Sequence, residues 1–216
     1  MIITIDGPAG SGKSTVSKIL AEKLNFIHFN SGALFRGITA FLYKNKYDIE
    51  SISSTSSLPK IEIKSKMIKN SQHVIVNGKD YTSILRDNII STLVPHVALN
   101  KHCRTLVDNC QRAFATKHNI VVEGRDIGSH VFPNAEFKFY LDCSIKERAK
   151  RRFNEEQAKN SSITLKEIEQ QIKERDMLDK TRDLAPLVVP KNAIIIDSTS
   201  LTIDEVVDKM LKSIKS

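Results

Sequence analysis

The sequence contains no tryptophan, and Phe, Trp and Tyr together make up 6% of its 216 residues. Proteins that hold single-stranded nucleic acid stack bases on aromatic side chains interleaved with basic ones, so this shortage argues against such a surface. The sequence also lacks an apolar run approaching the ~20 residues of a membrane span, and it opens on an apolar strand pattern without a secretion signal. We therefore expect a cytoplasmic protein with no membrane partner.

Cysteine is scarce as well. Cys103, Cys110 and Cys143 are odd in number, and they form neither a C-x-x-C motif nor a Cys/His ligand pattern, which agrees with a cytoplasmic location. The formal net charge of +8 suits an anionic partner without naming it. Both nucleic acid and a pair of nucleotides would satisfy this charge.

One stretch that is present carries a specific chemistry. The string GPAGSGKS at residues 7–14 follows an apolar run and precedes a helical pattern, as the P-loop spacing G-x-x-x-x-G-K-[ST] requires. Its glycines let successive N–H groups point at a phosphate, and the following helix directs its positive end to the same anion. Lys13 would reach the outer phosphates, and Ser14 would hold Mg²⁺. The predicted ATP-binding residues are Gly7, Pro8, Ala9, Gly10, Ser11, Gly12, Lys13, Ser14 and Thr15.

Strand and helix patterns alternate along most of the chain. Short apolar runs predict strands at residues 2–5, 26–29, 120–122, 137–141 and 193–196, with helical patterns in the segments between them. This alternation predicts an α/β fold, a P-loop NTPase-like parallel sheet of about five strands covered by helices. The helix after the second strand is predicted to have Ser31 as its N-cap.

Residues 59–95 depart from this alternation and predict a small antiparallel insert, with Asn77-Gly78 as a hairpin turn. Residues 83–99 are predicted to be helical with a break at Pro95. The core would then comprise residues 1–58 and 96–216. Residues 154–162 are polar and predict a mobile loop, which would give a short lid at about 153–163.

Two predicted helices carry charges with a pattern. Arg148, Arg151 and Arg152 share one face of the helix that begins near Ser144, and a solvated basic surface is an equally good interpretation of them. The helix from Thr164 has an inward stripe that changes from apolar to charged. An exposed i, i+4 ion pair is worth only about 0.3 to 0.5 kcal/mol, so charges that continue a buried stripe indicate a polar cleft. The stripe is Leu165, Ile168, Ile172, Arg175, Asp179 and Arg182.

If ATP occupies the P-loop, the remaining arginines indicate the acceptor. Arginine grasps phosphate or a polar ring edge in a planar, bidentate manner, so a second phosphate-bearing substrate is predicted. A nucleoside monophosphate attacks with an oxygen that is already anionic, so the reaction needs orientation and charge neutralisation but no base. The arginines that could converge on it are Arg36, Arg104, Arg125, Arg175 and Arg182.

Taken together, the motifs of this sequence resemble those of the bacterial cytidylate kinases. They occur in order along nearly the whole chain: IDGPAGSGKST, NSGALFRG, QRAF, VVEGRDIGSHVFPNAE, KERAKRR, IKERD, LAPL and IDST. The resemblance implies a P-loop kinase with a nucleoside-monophosphate-binding insert and a short lid, which transfers phosphate from ATP to CMP or dCMP with Mg²⁺. Two departures stand out: Pro95 where many relatives have serine, and Leu178 where some have arginine.

The resemblance also implies roles for individual residues. Arg36, Arg125 and Arg182 would surround the CMP phosphate, Arg104 and Asp126 would face the cytosine, and a carboxylate that accepts the exocyclic amino group would disfavour uracil. Lys13, Arg148 and Arg152 would act on the transferring phosphoryl group, and Ser14 would bind the metal. The predicted CMP-binding residues are Ser31, Arg36, Arg104, Arg125, Asp126, Arg175, Asp179 and Arg182, with Arg175 and Asp179 at the ribose.

Three other functions compete with this one. A P-loop kinase for another nucleotide, such as UMP, would share most of these features. A kinase for an alcohol would need a base, and no convincing one is evident in the sequence. A basic nucleic-acid-binding protein that uses ATP as a switch would need the aromatic surface that the composition argues against. We expect a monomer with ATP and CMP or dCMP as its partners, and no nucleic acid.

Overall fold

The computed structural model describes residues 1–157 and 163–215 of the chain. The strands are β1 (Ile2–Asp6), β2 (Ile27–Asn30), β3 (Ile63–Ile68), β4 (Ser71–Val76), β5 (Lys79–Asp80), β6 (Ile120–Glu123), β7 (Phe137–Asp142) and β8 (Ile194–Asp197). The helices are α1 (Lys13–Leu24), α2 (Ser31–Lys44), α3 (Asn88–Leu99), α4 (Lys101–Ala115), α5 (Ile145–Gln157), α6 (Leu165–Thr181) and α7 (Ile203–Lys215). A short π-helical turn, Ile127–Val131, follows β6.

The central sheet is parallel and has five strands in the order β2-β6-β1-β7-β8, which confirms the predicted α/β fold. The chain first places strands on one side of β1 and then crosses to β7 on its other side, so the strand order reverses beside β1. Open α/β sheets bind ligands at the carboxyl ends of the strands next to such a reversal. The P-loop follows β1 at this point.

The register of β1, β7 and β8 brings their carboxyl ends to one edge. Asp6 is level with Tyr140 on β7, and Asp142 at the end of β7 is level with Asp197 on β8. The apolar residues before these ends are buried in one core cluster together with residues of α1 and α7. That core includes Ile3, Ile5, Val16, Leu20, Phe139, Leu141, Val207 and Met210.

The contacts within the chain define two compact units. The first unit is Met1–Phe26 with Val121–Ser216, and the second is Ile27–Ile120. The P-loop, α5 and α6 belong to the first unit, whereas α2, α3, α4 and the antiparallel sheet belong to the second. The predicted boundaries of an insert at residues 59–95 stay a prediction.

The second unit contains the predicted hairpin. The antiparallel order is β3-β4-β5, and the turn Asn77-Gly78 has φ angles of 47° and 81°, which suit a two-residue hairpin loop. The predicted break at Pro95 is wrong, because α3 continues through it to Leu99. Proline removes one helical N–H, but the helix continues because its apolar face is buried. The buried residues of α3 are Ile90, Leu93, Val94, Val97 and Ala98.

Three further sequence predictions need correction. The N-cap of α2 is Asn30, whose Oδ1 accepts the N–H of Ala33 at 2.9 Å, and Ser31 is the first helical residue. Residues 154–157 belong to α5, so the predicted mobile loop does not include them. The rest of that loop, residues 158–162 of the predicted lid, lies outside the described residues. Leu165 is 45% exposed and does not belong to the inward stripe of α6.

In the described parts of the chain, no helix is long and apolar enough to cross a membrane.

Candidate active site

The P-loop leaves the carboxyl end of β1 and enters α1 at Lys13. Gly10 and Gly12 have φ angles of 76° and 91°, a region that favours glycine over residues with a side chain. A side chain at Gly7 would collide with the carbonyl oxygen of Leu141 on β7. The glycines are therefore required by the backbone path and by its close approach to the neighbouring strand.

Lys13 is buried within this loop. Its Nζ donates hydrogen bonds to the carbonyl oxygen of Pro8 at 2.6 Å and to Oγ of Ser11 at 3.2 Å. Burial lowers the pKa of Lys13 well below its ordinary value, and the positive charge of Arg125 lowers it further. An anion bound in the loop would stabilise both cations, as expected for a phosphate site.

Ser14 and Glu123 bring two oxygen ligands together beside the P-loop. Ser14 Oγ donates a 2.8 Å hydrogen bond to Oε2 of Glu123, the last residue of β6. Mg²⁺ prefers oxygen ligands, keeps several waters and is commonly held by one or two protein groups together with phosphate oxygens. A hydroxyl beside a carboxylate therefore fits this ion. The described residues contain no larger cluster of His, Cys, Asp or Glu suited to a metal.

Asp6, at the end of β1, holds the start of the π-helical turn. Its Oδ1 accepts the N–H of Ile127 at 2.8 Å, and its Oδ2 accepts the N–H of Gly128 at 2.7 Å. A side chain at Gly128 would start 2.7 Å from Oγ1 of Thr4 and 3.2 Å from Oδ2 of Asp6, so only glycine allows this arrangement. The bonds fix the turn directly after Asp126, one of the predicted cytosine-binding residues.

The free energy of unfolding is expected to depend on pH through Asp6. Its side chain is fully buried, and burial raises the pKa of Asp6 to about 6 despite the two backbone hydrogen bonds. Between pH 4 and 6, the folded chain keeps a proton that the unfolded chain releases. Raising the pH from 4 to 7 should therefore reduce the stability of the unchanged protein by about 2 kcal/mol relative to Asp6→Asn.

Urea unfolding of both proteins at several pH values measures this difference. The amide in Asp6→Asn keeps the shape but presents a donor to one of the two N–H groups, so a constant offset is expected in addition. Only the pH-dependent part tests the pKa. A stability difference that stays the same from pH 4 to 7 would contradict the prediction.

Three of the predicted acceptor arginines converge on one carboxylate. Asp179 on α6 receives hydrogen bonds on Oδ2 from Nε of Arg125 at 3.0 Å and from Nε of Arg175 at 3.3 Å. Nη1 of Arg182 lies 3.5 Å from its Oδ1. Burial alone would raise the pKa of Asp179, but the three arginines outweigh it and the pKa is lowered. The carboxylate thus stays charged and holds three guanidinium groups together.

Arg182 extends this cluster to Asp126. Its Nη2 lies 3.4 Å from Oδ1 of Asp126, and its Nε donates to the carbonyl oxygen of Ala185 at 2.8 Å. Both side chains of the ion pair are buried. The structure therefore brings together five of the residues predicted to bind CMP. Asp179 contacts the three arginines, and Arg182 links them to Asp126.

The three arginines of α5 have different surroundings. Arg148 is buried and bonded to protein atoms, with Nε on the carbonyl oxygen of Cys143 at 2.9 Å, so the solvated-surface interpretation does not apply to it. Arg151 donates to Glu147 on the same helix and to the carbonyl oxygen of Ser198. Arg152 is half-buried, and its charge contributes to lowering the pKa of Arg175.

The predicted residues of the second unit lie around the start of α2. Ser31 is its first residue and is buried. Nη2 of Arg36 lies 3.5 Å from Oδ1 of Asn30, the N-cap. Arg104 on α4 donates from Nε to the carbonyl oxygen of Ala98 at 2.7 Å. Its guanidinium lies 5.6 Å from the ring centre of Phe35 on α2, so α2 and α4 hold these three side chains in one region of this unit.

Sequence reasoning overlooked two residues of the first unit. Asp6 looked like the end of an apolar strand, and Asp176 lay beside the charged stripe of α6 without belonging to it. Both are buried, at 0% and 7% exposure. The signal available was a carboxylate next to a recognised motif, in IDGP and in IKERD.

Comparisons with known proteins find relatives that match along nearly the whole chain. A family model described as cytidylate kinase matches residues 3–216. A cytidylate kinase of Clostridium botulinum (strain Langeland / NCTC 10281 / Type F) is 40% identical over 216 residues, which cover 99% of this chain and 97% of that protein. A cytidylate kinase of Caldicellulosiruptor saccharolyticus is 41% identical over 211 residues, which cover 97% of this chain and 93% of the relative.

Solved structures support the fold. A shikimate kinase from Bacteroides thetaiotaomicron is similar with a TM-score of 0.51 and 13% identity, over 100% of this chain and 99% of that one. An uncharacterized protein from Eubacterium ventriosum ATCC 27560 has a TM-score of 0.53 and 15% identity, with the same coverage. At these identities the likeness concerns the fold alone.

Proposed function

This chain belongs to the cytidylate kinase family, as its motifs predicted, and from that premise we propose that it phosphorylates CMP and dCMP with ATP and Mg²⁺. Membership makes the chain a nucleoside monophosphate kinase, a phosphotransferase with ATP as co-substrate. Beyond family membership, the proposal specifies the nucleobase of the acceptor, the metal ion and the residues that bind each substrate. The cytoplasmic location and the monomeric state remain predictions.

One observation carries the proposal. Ser14, next to Lys13 in the P-loop, bonds to Glu123 at 2.8 Å, and Arg125, two residues after Glu123, donates to Asp179, which Arg175 and Arg182 also contact. The P-loop lysine and the arginine cluster are therefore neighbours within the first unit. A donor phosphate on one side and an acceptor phosphate on the other would stabilise this concentration of positive charge.

The acceptor residues are assigned from the family motifs, and this arrangement supports only those of the first unit. We assign the CMP phosphate to Arg36, Arg125 and Arg182, with Ser31 beside it, and the ribose to Arg175 and Asp179. Arg104 and Asp126 would contact the cytosine. A buried carboxylate such as Asp126 suits the cytosine amino group, because a carbonyl at that place would leave it without a donor.

The reaction needs little covalent chemistry from the protein. An anionic oxygen of the CMP phosphate attacks the γ-phosphorus of ATP in line, the bond from that phosphorus to the β,γ-bridging oxygen breaks, and ADP leaves with the electron pair. Lys13 and Arg152 would neutralise charge on the transferring group, while the backbone N–H groups of the P-loop orient the phosphates. No proton has to be removed from the acceptor.

Ser14 is the residue we assign to Mg²⁺, with Glu123 beside it to orient water in the metal's shell. When bound, the ion supplies positive charge to the phosphate oxygens of ATP. The hydrogen bond between Ser14 and Glu123 would then give way to contacts with the metal and its waters. Glutamate supplies the oxygen ligands that this role needs.

An ADP-release assay across five acceptors tests the proposed specificity. CMP and dCMP should be the preferred substrates over UMP, AMP and GMP at equal concentrations, and EDTA should abolish turnover. A clear preference for UMP or a purine would overturn the specificity and favour a kinase for another nucleotide. Turnover that survives removal of divalent metal would overturn the assignment of Mg²⁺.

A further inference from the structure

A buried ion pair joins α5 and α6 next to the P-loop. Nη1 of Arg148 lies 2.7 Å from Oδ2 of Asp176, and their side chains are 4% and 10% exposed. Nε of Arg148 also donates to the carbonyl oxygen of Cys143, which fixes the plane of the guanidinium. Charged residues are seldom buried so completely without a specific partner, and each is the other's partner here.

The ion pair contacts both the backbone carbonyl and the backbone N–H of one P-loop residue, Ala9. Nη1 of Arg148 donates to the carbonyl oxygen of Ala9 at 2.9 Å. The N–H of Ala9 points at Oδ1 of Asp176, at 3.4 Å. Ala9 therefore has its acceptor bound by one member of the ion pair and its donor directed at the other.

Other contacts hold the loop at Pro8 and Ser11, through Lys13 Nζ and through Oγ of Ser198, which donates to the carbonyl oxygen of Ser11 at 3.3 Å. The glycines of the loop adopt positive φ angles and offer no side chain to pack. The Cβ of Arg148 lies 3.4 Å from the place where a side chain on Gly10 would start, so the stem of this arginine supports the next residue of the loop as well. Ala9 and Gly10 both precede the N–H groups that would point at the phosphates.

Asp176 also belongs to the helix that carries Arg175 and Asp179, two members of the arginine cluster. It lies between Arg175 and Asp179 on α6, whose N-terminus is fixed by a capping box at Thr164 and Glu167. Ile168 and Ile172 on the same helix are buried against Ala149 on α5. A capped helix packed against α5 thus presents one carboxylate to the P-loop and, at i+3, another to the acceptor arginines.

We propose that Asp176 and Arg148 are positioning residues that clamp the P-loop at Ala9 and hold it in the conformation that binds ATP. The clamp acts on the loop and touches no substrate atom. It gives Arg148 a role through Ala9 in place of the phosphoryl contact predicted for it. The inference rests on the proposed function only in taking ATP as the ligand of the P-loop.

Calorimetry in the absence of any acceptor measures the affinity of the protein for a non-hydrolysable ATP analogue, and this affinity tests the clamp. Asp176→Asn keeps the shape and one oxygen but weakens the ion pair, and Arg148→Lys keeps the charge but loses the fork that reaches both Ala9 and Cys143. Each variant should lose about ten-fold or more in affinity for the analogue, because a misplaced loop misdirects its N–H groups. The double variant should lose no more than the stronger single change.

Glu174→Gln is the matched control, an acid-to-amide change two residues away on the exposed side of α6. It should leave analogue affinity and turnover unchanged. CMP affinity, measured separately, should change by less than about three-fold in the clamp variants, since the arginine cluster keeps its contacts. This binding assay needs no assumption about the acceptor, so it can succeed even if CMP is not phosphorylated.

Two results would overturn the clamp. The first is analogue affinity within two-fold of the unchanged protein in both single variants. The second is an equal loss of analogue and CMP affinity that follows the fraction unfolded in urea, which indicates a structural role alone. Additive losses of analogue affinity in the double variant would show that Arg148 and Asp176 act separately. That result would contradict the proposal that the two residues hold Ala9 as one ion pair.

Discussion

Lys13→Met is expected to lower kcat for phosphoryl transfer by about 10³-fold or more while the fold is retained. Lys13 is the residue of the P-loop motif that would contact the outer phosphates. Methionine matches its length but carries no charge and donates no hydrogen bond. Charge that develops on the transferring phosphoryl group would then lose its nearest cation.

The structure explains why the fold should tolerate this change. Lys13 is buried, and burial lowers its pKa, so the ammonium group is costly to keep where it is. An apolar side chain of similar length removes that cost, although it leaves the carbonyl oxygen of Pro8 without its 2.6 Å hydrogen bond. The free energy of unfolding should therefore change by no more than about 1 to 2 kcal/mol.

Lys18→Met on the exposed face of α1 is the control for this experiment. It removes the same charge from the same helix without touching the loop, so its kcat should match that of the unchanged protein. Steady-state kinetics with saturating ATP and CMP, together with urea unfolding, measure both effects. A kcat for Lys13→Met within ten-fold of the control would contradict the P-loop as the donor site.

The parts of the site that the sequence predicts well are set by local geometry. The P-loop needs a strand, a glycine-rich turn and a helix in direct succession, and all three lie within residues 2–24. The turn at Asn77-Gly78 is equally local. The inward charges of α6 follow from helical spacing, and Asp179 indeed lies among arginines.

Contacts between distant parts of the chain were not predictable in the same way. Asp6 bonds to Ile127 and Gly128, more than 120 positions away, and Asp176 meets Ala9 at a separation of 167. These contacts depend on the order of the strands beside β1 and on the rotation of α6 about its axis, and neither follows from local sequence. Pro95 shows the converse, because tertiary burial of α3 overrides a local helix-breaking signal.

Asp126→Asn is expected to reduce the preference for CMP over UMP by about 10²-fold, measured as the ratio of their kcat/KM values. The carboxylate of Asp126 can only accept hydrogen bonds, which suits the amino group of cytosine. An asparagine amide can also donate, so it can meet the carbonyl of uracil. The side chain is buried, and water would not readily replace a missing partner.

Asp126→Asn also weakens the ion pair between Asp126 and Arg182, so a fall in activity alone would not identify a contact with the nucleobase. Weakening it disturbs an arginine assigned to the CMP phosphate, and kcat/KM should fall for both nucleotides. The ratio is unaffected by that shared loss, because CMP and UMP have the same phosphate and ribose. The change in the ratio therefore isolates the contact with the base.

Asp179→Asn supplies the matched comparison. It removes the carboxylate that holds Arg125, Arg175 and Arg182 together, without removing a group assigned to the base. We expect it to raise the KM for CMP and UMP alike and to leave their ratio within about three-fold of the unchanged protein. If the two variants shift the ratio equally, Asp126 acts through the arginine cluster and not through cytosine. If neither shifts it, the base is selected elsewhere, and Arg104 on the second unit becomes the residue to change next.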